Sequence, residues 1–339
     1  RVLAERGRPL RLVVDCGAEV SRLDRTEFAT ICASLFGARG LRGATACYVS
    51  QNFANAADEP TEAEADVIPF NTHFLFFEVP APRDPDGDQR DVRFLCLNNI
   101  PKPHRIATLL HLQMRHGFHD TLYSFNHSFS NPPPNFNKKR IEPETIYKLY
   151  FDKCFNFELF NDNYQRFAEK CPKFIDLENR DQVNMMGRGA HVQRAHEDFF
   201  YRSLIHLVTE SDFDDGGGVV RFTEKVFKPM ATYAPFVVIG QPDTLSVLRE
   251  LGFRTFGDYW DESYDAIRDP GERMRALFAL IDTLAEHDVG EIRRMRRDMR
   301  GLLIHNFERL TWFREQGGQA LLDRILDRSA SSLALSAAS

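Results

Sequence analysis

The segment Leu204–Gly240, with the sequence LIHLVTESDFDDGGGVVRFTEKVFKPMATYAPFVVIG, decides the fold class. It contains two apolar runs, Leu204–Thr209 and Pro235–Gly240, which predict buried strands. A loop with three consecutive glycines and a helical pattern over Thr223–Tyr233 separate the two runs. Strands that alternate with helical segments are typical of a parallel sheet with crossover helices. The segment therefore predicts an α/β fold.

The same alternation extends toward both ends of the chain. Further strands are predicted at Arg11–Cys16, Ala46–Ser50, Val67–Val79 and Arg93–Leu97. Helical spacing predicts helices over Arg25–Phe36, His104–His116, Asp243–Leu251, Pro270–His287 and Glu291–Arg314. We expect two Rossmann-like lobes with a cleft between them.

The domain boundary is predicted within Pro80–Asp91 (PAPRDPDGDQRD), which is rich in proline and charge. This gives an N-terminal lobe at 1–90, a C-terminal lobe at 91–315 and a tail at 316–339. One option for the last helices is that they pack back on the N-terminal lobe. Residues 142–200 are interpreted as mixed helix.

The composition limits the function classes. The chain has 339 residues, 43% hydrophobic and 27% charged, with a net charge of −6. Such a composition is typical of a globular protein and argues against a general nucleic-acid binder, which needs basic excess. The sequence predicts neither a membrane span nor a signal peptide. Six widely spaced cysteines without a CxxC pair predict reduced thiols and a cytoplasmic location.

Residues 210–225 have the properties of a nucleotide diphosphate site. Ligands bind parallel α/β sheets at the carboxyl ends of the strands, and a helix N-terminus favours phosphate. Lys225 would add a full positive charge, and Glu224 could accept hydrogen bonds from ribose hydroxyls. The structural alternative is a helix cap, with Thr223 as N-cap and Glu224 favouring the dipole.

A second candidate phosphate site is the loop Asn98–Arg105 (NNIPKPHR), between a predicted strand and a predicted helix. Two prolines stiffen it, and Lys102, His104 and Arg105 make it basic. A stiff basic loop at a helix start suits phosphate. The alternative is a surface turn with solvated charges.

These segments together resemble the donor-binding core of the α1,3-fucosyltransferases. The resemblance lies in Thr209-Glu210-Ser211, Thr223-Glu224-Lys225 and the strand at 235–240, with a further match at Arg93–Arg105. It covers roughly residues 92–110 and 203–241. The sequence departs from the family at Ser211, where the family has Asn, and at Arg221, where it has an aromatic residue.

The resemblance implies a GT-B fold with the nucleotide on the C-terminal lobe and an inverting, metal-independent sugar transfer. Glu224 would bind the ribose, Lys225 and Arg105 the pyrophosphate, and Glu210 would lie in the donor pocket. The donor is expected to be a nucleotide-diphospho sugar, with a GDP-sugar favoured. The acceptor would be a hydroxyl of a glycan or a lipid-linked glycan. The nucleotide sugar is a substrate, and no cofactor is implied. The predicted donor-binding residues are Asn98, Lys102, Arg105, Glu210, Thr223, Glu224 and Lys225.

An inverting transferase also needs a general base for the acceptor hydroxyl. In GT-B proteins this base usually comes from the N-terminal lobe. The candidates are Asp15, Glu19, His73 and Glu78, of which only one is expected to act.

Two other functions stay open at this point. Asp212, Asp214 and Asp215 follow a strand and could hold a divalent cation in a metal-dependent transferase. The chain could also be a non-catalytic nucleotide- or sugar-binding module. His111, His116 and His119 have spacings that do not match the i, i+4 pair of a zinc helix, so they predict no metal site.

Two further features have a functional and a structural interpretation. The cluster Trp260–Asp265 suits recognition of sugar hydroxyls, with Asp261 and Glu262 lining the cleft, or a packed turn. The arginine-rich helix at 291–303 suits either peripheral contact with the inner membrane face or a solvated face.

Overall fold

In this computed structural model the described residues are 11–16, 30–34, 45–51, 53, 65–87, 90–125, 141–173, 175, 198–214 and 220–325. They form two separate sheets, and every strand pair within each sheet is parallel. This confirms the predicted α/β class with two lobes, each built on a parallel sheet. It is the GT-B-like arrangement that the resemblance implied.

The first sheet has the order β1-β2-β3 and comprises β1 (Arg11–Cys16), β2 (Thr45–Ser50) and β3 (Ala65–Pro69). Residues 30–34, within the helix predicted between β1 and β2, are helical.

The strand predicted over Val67–Val79 is wrong beyond Pro69. Proline has no N–H to donate to a ladder, and β3 ends there. The chain then forms the short helix α1 (His73–Phe76), whose Phe74 is buried.

The second sheet has the order β5-β4-β6-β7. Its strands are β4 (Val92–Asn98), β5 (Thr121–Phe125), β6 (Ser203–Thr209) and β7 (Phe236–Ile239). The predicted strands β4, β6 and β7 are confirmed. The edge strand β5 was not predicted, because TLYSF is short and mixes polar with apolar residues.

The predicted helix after β4 is confirmed as α2 (Pro103–His116). Proline at its first turn is tolerated because that position needs no N–H donor. Gly117 ends the helix in the left-handed region, with φ of 57°. The region that follows contains α3 (Pro143–Ile146), a π-helical turn (Tyr147–Phe151), α4 (Phe157–Glu169) and α5 (Asp198–Arg202).

The remaining helices are α6 (Phe227–Ala231), α7 (Thr244–Glu250), α8 (Pro270–Glu286), α9 (Val289–Asp298) and α10 (Arg300–Ile325), with a 3-10 turn at Ser263–Ala266. Two predictions need correction here. The helix predicted over Thr223–Tyr233 is only the five residues of α6, and Thr223 and Glu224 precede it. The helix predicted over Glu291–Arg314 is two helices that divide at Met299, and a capping box at Asp288 starts the first.

An aromatic core joins the two lobes. The ring of Phe74 stacks on Phe227 at 4.4 Å and on Phe313 at 4.1 Å between ring centroids. Phe313 belongs to α10, which packs against α1 and so places the last helix beside the first lobe. Among the described residues, no helix combines the length and apolar character that a membrane crossing needs.

Three arginines of the basic segment 291–303 bind the chain itself. Arg296 is buried and donates to the carbonyls of Tyr233 (2.9 Å) and Pro85 (2.6 Å). Arg293 donates to the carbonyl of Arg90, and Arg300 pairs with Asp86. These side chains hold α9 and the start of α10 against residues 85–90 and, through Arg296, against Tyr233.

Candidate functional site

The carboxyl ends of the central strands of the second sheet meet at one edge. The hydroxyl of Thr209, at the end of β6, donates to Oδ1 of Asn98, at the end of β4, over 2.7 Å. The backbone N–H of Glu210 donates to the carbonyl of Ile239, at the end of β7, over 2.9 Å. Asn98 is buried. This edge is where ligands bind open parallel sheets.

Glu210 connects the end of β6 to the segment before α6. Its buried carboxylate accepts hydrogen bonds from the Thr223 backbone N–H (3.0 Å) and hydroxyl (2.7 Å), and from the Ser211 N–H (3.1 Å). These bonds hold Thr223 in place and explain why the helix begins later than predicted. In the structure Glu210 holds the loop.

Arg105 and His104, from the first turn of α2, form a buried layer beneath this loop. Arg105 is only 3% exposed and donates to the carbonyls of Glu210 (2.9 Å) and Ile100 (3.1 Å). His104 Nε2 lies 2.9 Å from the same Glu210 carbonyl. Burial holds the pKa of His104 well below its usual range, so the ring is neutral at pH 7. The pyrophosphate-binding role predicted for Arg105 contrasts with this engagement of its guanidinium by main-chain carbonyls.

Lys102 and Arg221 both pair with Asp212. Lys102 contacts Asp212 Oδ1 at 3.3 Å and donates to the Ser211 carbonyl, and Arg221 binds the other carboxylate oxygen. Burial acts to raise the pKa of Asp212, but the two cations outweigh it and the pKa is lowered. Asp212 is therefore an ion-paired carboxylate. Asp214 is exposed, and Asp215 lies outside the described residues.

Thr223-Glu224-Lys225 leads into α6, and Glu224 and Lys225 lie in a turn. Lys225 Nζ donates to the hydroxyls of Thr223 (2.8 Å) and Ser211 (3.2 Å) and to Glu224 Oε1 (3.2 Å). Its side chain is 27% exposed. The buried Glu224 still has a lowered pKa, because the attraction of Lys225 and Lys228 outweighs its desolvation. The turn thus presents a partly exposed ammonium to solvent beside a buried carboxylate.

Residues of the first lobe form hydrogen bonds with the segment that precedes α6. Gln51, directly after β2, and Asn71, after β3, each donate to the Phe222 carbonyl over 3.0 Å. The Phe53 N–H donates to the Val220 carbonyl over 2.8 Å. The 220–225 segment therefore lies where the carboxyl ends of both sheets converge. Gln51 had a sequence signal as a polar residue after a predicted strand, whereas Asn71 fell inside a predicted strand.

His73 is the candidate base that the structure brings to this junction. It begins α1, and its Nε2 lies 4.0 Å from Glu224 Oε2. The side chain is 17% exposed. Burial lowers its pKa, and the opposing attraction of Glu224 does not restore it. His73 is therefore neutral at pH 7 and can accept a proton.

The other three candidate bases have different positions. Asp15 lies near the carboxyl end of β1, where its backbone pairs with that of Val49 next to the end of β2. Glu78 was predicted within the strand Val67–Val79, but it follows α1, beyond the end of β3, and is exposed. Glu19 lies outside the described residues.

The cluster at 260–265 forms a packed turn. Glu262 accepts hydrogen bonds from the Phe256 N–H (2.7 Å) and the Thr255 hydroxyl (2.7 Å). The exposed Asp261 accepts from the Ser263 N–H. These contacts match the structural interpretation of this cluster.

The sequence matches no family model, and no curated protein matches it either. Among solved structures the chain is similar to a DNA-modifying enzyme, β-glucosyltransferase, determined in the presence and absence of its substrate uridine diphosphoglucose. The similarity has 11% sequence identity and a TM-score of 0.38, and covers 84% of this chain and 67% of the other. A likeness at this TM-score does not establish a shared fold or a shared function.

Proposed function

We propose that this chain is a metal-independent, inverting glycosyltransferase that moves a sugar from a nucleoside diphosphate sugar to a hydroxyl of a glycan. The principal support is the turn with Glu224 and Lys225, where a partly exposed cation lies at the meeting point of two parallel sheets. The resemblance to the fucosyltransferases favours a GDP-sugar as donor. A glycan or lipid-linked glycan acceptor and a cytoplasmic location stay predictions from the sequence.

The donor half of the mechanism follows from the charges on the second lobe. When the bond between the sugar and the diphosphate breaks, negative charge develops on the departing phosphate. Lys225 would bind that charge directly as a point charge. The N-terminus of the 14-residue helix α2, beside Lys102, adds a partial positive charge. The buried Arg105 would stabilise the charge on the phosphate electrostatically, without contacting it.

The acceptor half would use His73. Its neutral ring accepts the proton of the acceptor hydroxyl while that oxygen attacks the anomeric carbon from the face opposite the diphosphate. One carbon–oxygen bond forms as the bond to the diphosphate breaks, so the anomeric configuration inverts and the nucleoside diphosphate leaves. Glu224, at 4.0 Å, stabilises the imidazolium that forms. The proton then passes to solvent.

The metal-dependent alternative has less support from the geometry. A divalent cation would need Asp212 and its neighbours as ligands, and Asp212 is engaged by Lys102 and Arg221.

The first experiment is a thermal-shift screen with GDP, UDP, CMP and dTDP in the presence of EDTA. A nucleotide that binds the native state raises the melting temperature by mass action. We expect one diphosphate to raise it without metal, and the matching nucleotide sugar to release that diphosphate when acceptor glycans are supplied. A shift that needs Mg²⁺ or Mn²⁺, or no shift with any nucleotide, would overturn the proposal.

A non-catalytic binding module is the second candidate. The observation that favours it is that the chain itself binds the Glu210 carboxylate and both terminal nitrogens of the Arg105 guanidinium, which suits a static pocket. A binder would show the same nucleotide-dependent thermal shift and release no nucleoside diphosphate with any acceptor. Product release therefore separates the two candidates.

A further inference from the structure

The far end of α2 contains a second cluster of polar side chains, away from the first-turn residues that hold the loop. His111 Nε2 lies 2.8 Å from Oδ1 of Asp282, and His116 Nε2 lies 2.7 Å from the same oxygen. Asp282 belongs to α8. His111 is buried, while His116 and Asp282 are partly exposed.

The sequence predicted no metal site at these histidines, and the tertiary structure changes that expectation. Residues five apart on an α-helix point about 140° away from each other, so they cannot chelate an ion as an i, i+4 pair does. Asp282 lies 166 residues after His116 in the sequence, and its Oδ1 contacts the Nε2 atoms of both histidines. The ring centroids are 5.9 Å apart, and the ring planes cross at 72°.

The cluster is fixed before any ligand arrives. The His111 ring stacks on Phe278 with centroids 4.1 Å apart and an interplanar angle of 2°. Phe278 is one helical turn before Asp282, so α8 supplies both the stacking surface and the carboxylate. Arg115 Nε lies 3.5 Å from Oδ2 of Asp282, which holds the carboxylate by the oxygen that the histidines do not contact.

We propose that His111, His116 and Asp282 bind a divalent transition metal of the Zn²⁺ class. Two imidazole nitrogens and one carboxylate oxygen, all within 4.8 Å of one another, form a donor set that suits Zn²⁺. Metal bonds of about 2.0–2.2 Å require the Asp282 carboxylate to withdraw from its direct contacts with the two Nε2 atoms, so that the ion takes the place of the two hydrogen bonds. Because two of the ligands are partly exposed, water completes the coordination.

The bound ion would act as a cross-link between α2 and α8. The C-terminal end of α2 favours a positive charge, because the last carbonyls of a helix have no partner in the helix. The same helix presents His104 and Arg105 to the loop at its other end. The metal would therefore stabilise the helix that supports the candidate donor site, without touching the reacting groups.

The test measures Zn²⁺ uptake by the chelator-treated full chain with equilibrium dialysis and titration calorimetry. We expect one Zn²⁺ per chain and at least a tenfold loss of affinity in both His116→Ala and Asp282→Asn. The matched control is His287→Ala, because His287 pairs with Glu291 at 3.7 Å and, among the residues that the structure describes, this pair is part of no group of three possible metal ligands. This control should bind Zn²⁺ as the wild type does.

Substitution by Co²⁺ adds a readout that does not depend on the variants folding. A site with two imidazoles, a carboxylate and water should give a visible Co²⁺ absorption band, lost on addition of excess Zn²⁺. His116→Gln, which alters a partly exposed ligand, serves as a second variant whose metal-free melting temperature reports on its folding. A wild type that takes up no Zn²⁺, or variants that bind it with wild-type affinity, would overturn the proposal.

Discussion

Arg105 of α2 binds the segment between β6 and α6, Lys225 belongs to that segment, and the two cations differ in how much of each side chain is exposed. Arg105 is 3% exposed and binds main-chain carbonyls, whereas the Lys225 side chain is 27% exposed and binds side-chain oxygens. The resemblance to a known donor site gave both residues the same task. The structure separates a buried cation that shapes the loop from an accessible cation that can meet a ligand.

The physical basis of this separation is the cost of burying charge. A buried guanidinium has to be hydrogen-bonded, because an unpaired charge in the interior is expensive. Arg105 meets that requirement with the carbonyls at the end of β6. A lysine at the surface has no such requirement and can exchange its protein partners for phosphate. The predictions below test this division between a buried layer and an accessible layer.

The largest expected effect is on catalysis and concerns His73, which with Lys225 forms the accessible layer of partly exposed side chains. His73→Gln retains a polar side chain that cannot accept the proton, so we expect kcat/KM to fall about 10²–10⁴-fold. Because burial lowers the pKa of His73, the decline of wild-type kcat/KM toward acid pH should have its midpoint below the usual histidine pKa of about 6.5. The measurement is a pH–rate profile of both proteins, with exposed His119→Gln as control. A variant within a few-fold of the wild type would exclude His73 as the base.

The next effect concerns the buried layer. Arg105→Ala removes the donor to the Ile100 carbonyl and one of the two side chains that bind the Glu210 carbonyl, and we expect about 2–3 kcal/mol less free energy of unfolding. Urea unfolding measures this difference. Arg115→Ala on the same helix is the matched control, because that side chain is 53% exposed, and should cost less than about 1 kcal/mol. Equal losses in the two variants would contradict the division.

A smaller effect is expected for the exposed cation. Lys225→Ala should weaken binding of the nucleoside diphosphate about tenfold, about 1.4 kcal/mol, because it removes one charge that meets phosphate. The free energy of unfolding should fall as well, because the buried Glu224 carboxylate loses one of the cations that offset its desolvation. Lys148→Ala, exposed on the π-helical turn, is the control. Unchanged nucleotide affinity would move the donor site elsewhere.

The smallest effect is a pH dependence of stability from the buried layer. His104 stays neutral in the folded chain well below pH 6.5, while the unfolded chain binds a proton near that pH. The free energy of unfolding should therefore fall below pH 6.5, by about 1.4 kcal/mol per pH unit for this group. Urea titrations at pH 7.5, 6.5 and 5.5 measure the slope. His104→Gln should make it shallower, and an identical slope would contradict the assignment.

The elements that could be predicted from sequence are those whose pattern is local. The strands β6 and β7 are continuous apolar runs, and α2 has a proline at its start and a glycine at its end, so each was predicted close to its observed bounds. β5 was missed because a short edge strand has no distinctive periodicity. The helix predicted from Thr223 was too long because Glu210, 13 residues earlier, binds the Thr223 N–H and hydroxyl.

The candidate site shows the same limit. Glu224, Lys225 and Lys102 were chosen from their positions after strands and at a helix start, and the structure brings them to one loop. Gln51 and Asn71 contact that loop from 171 and 151 residues away, a separation that no local pattern reports. Asp282 and His116 are in contact although they are 166 residues apart in the sequence.

The sequence by itself determined the α/β class, the parallel sheets and the segments where polar side chains follow strands. The reason is that the periodicity of strands and helices depends on residues that are close together in the sequence. Only the tertiary structure decided which cation is buried, which histidine meets Glu224, and that Asp282 unites two histidines. Burial and pairing depend on what other parts of the chain bring to a position, and these contacts set the desolvation and the charge partners of each group.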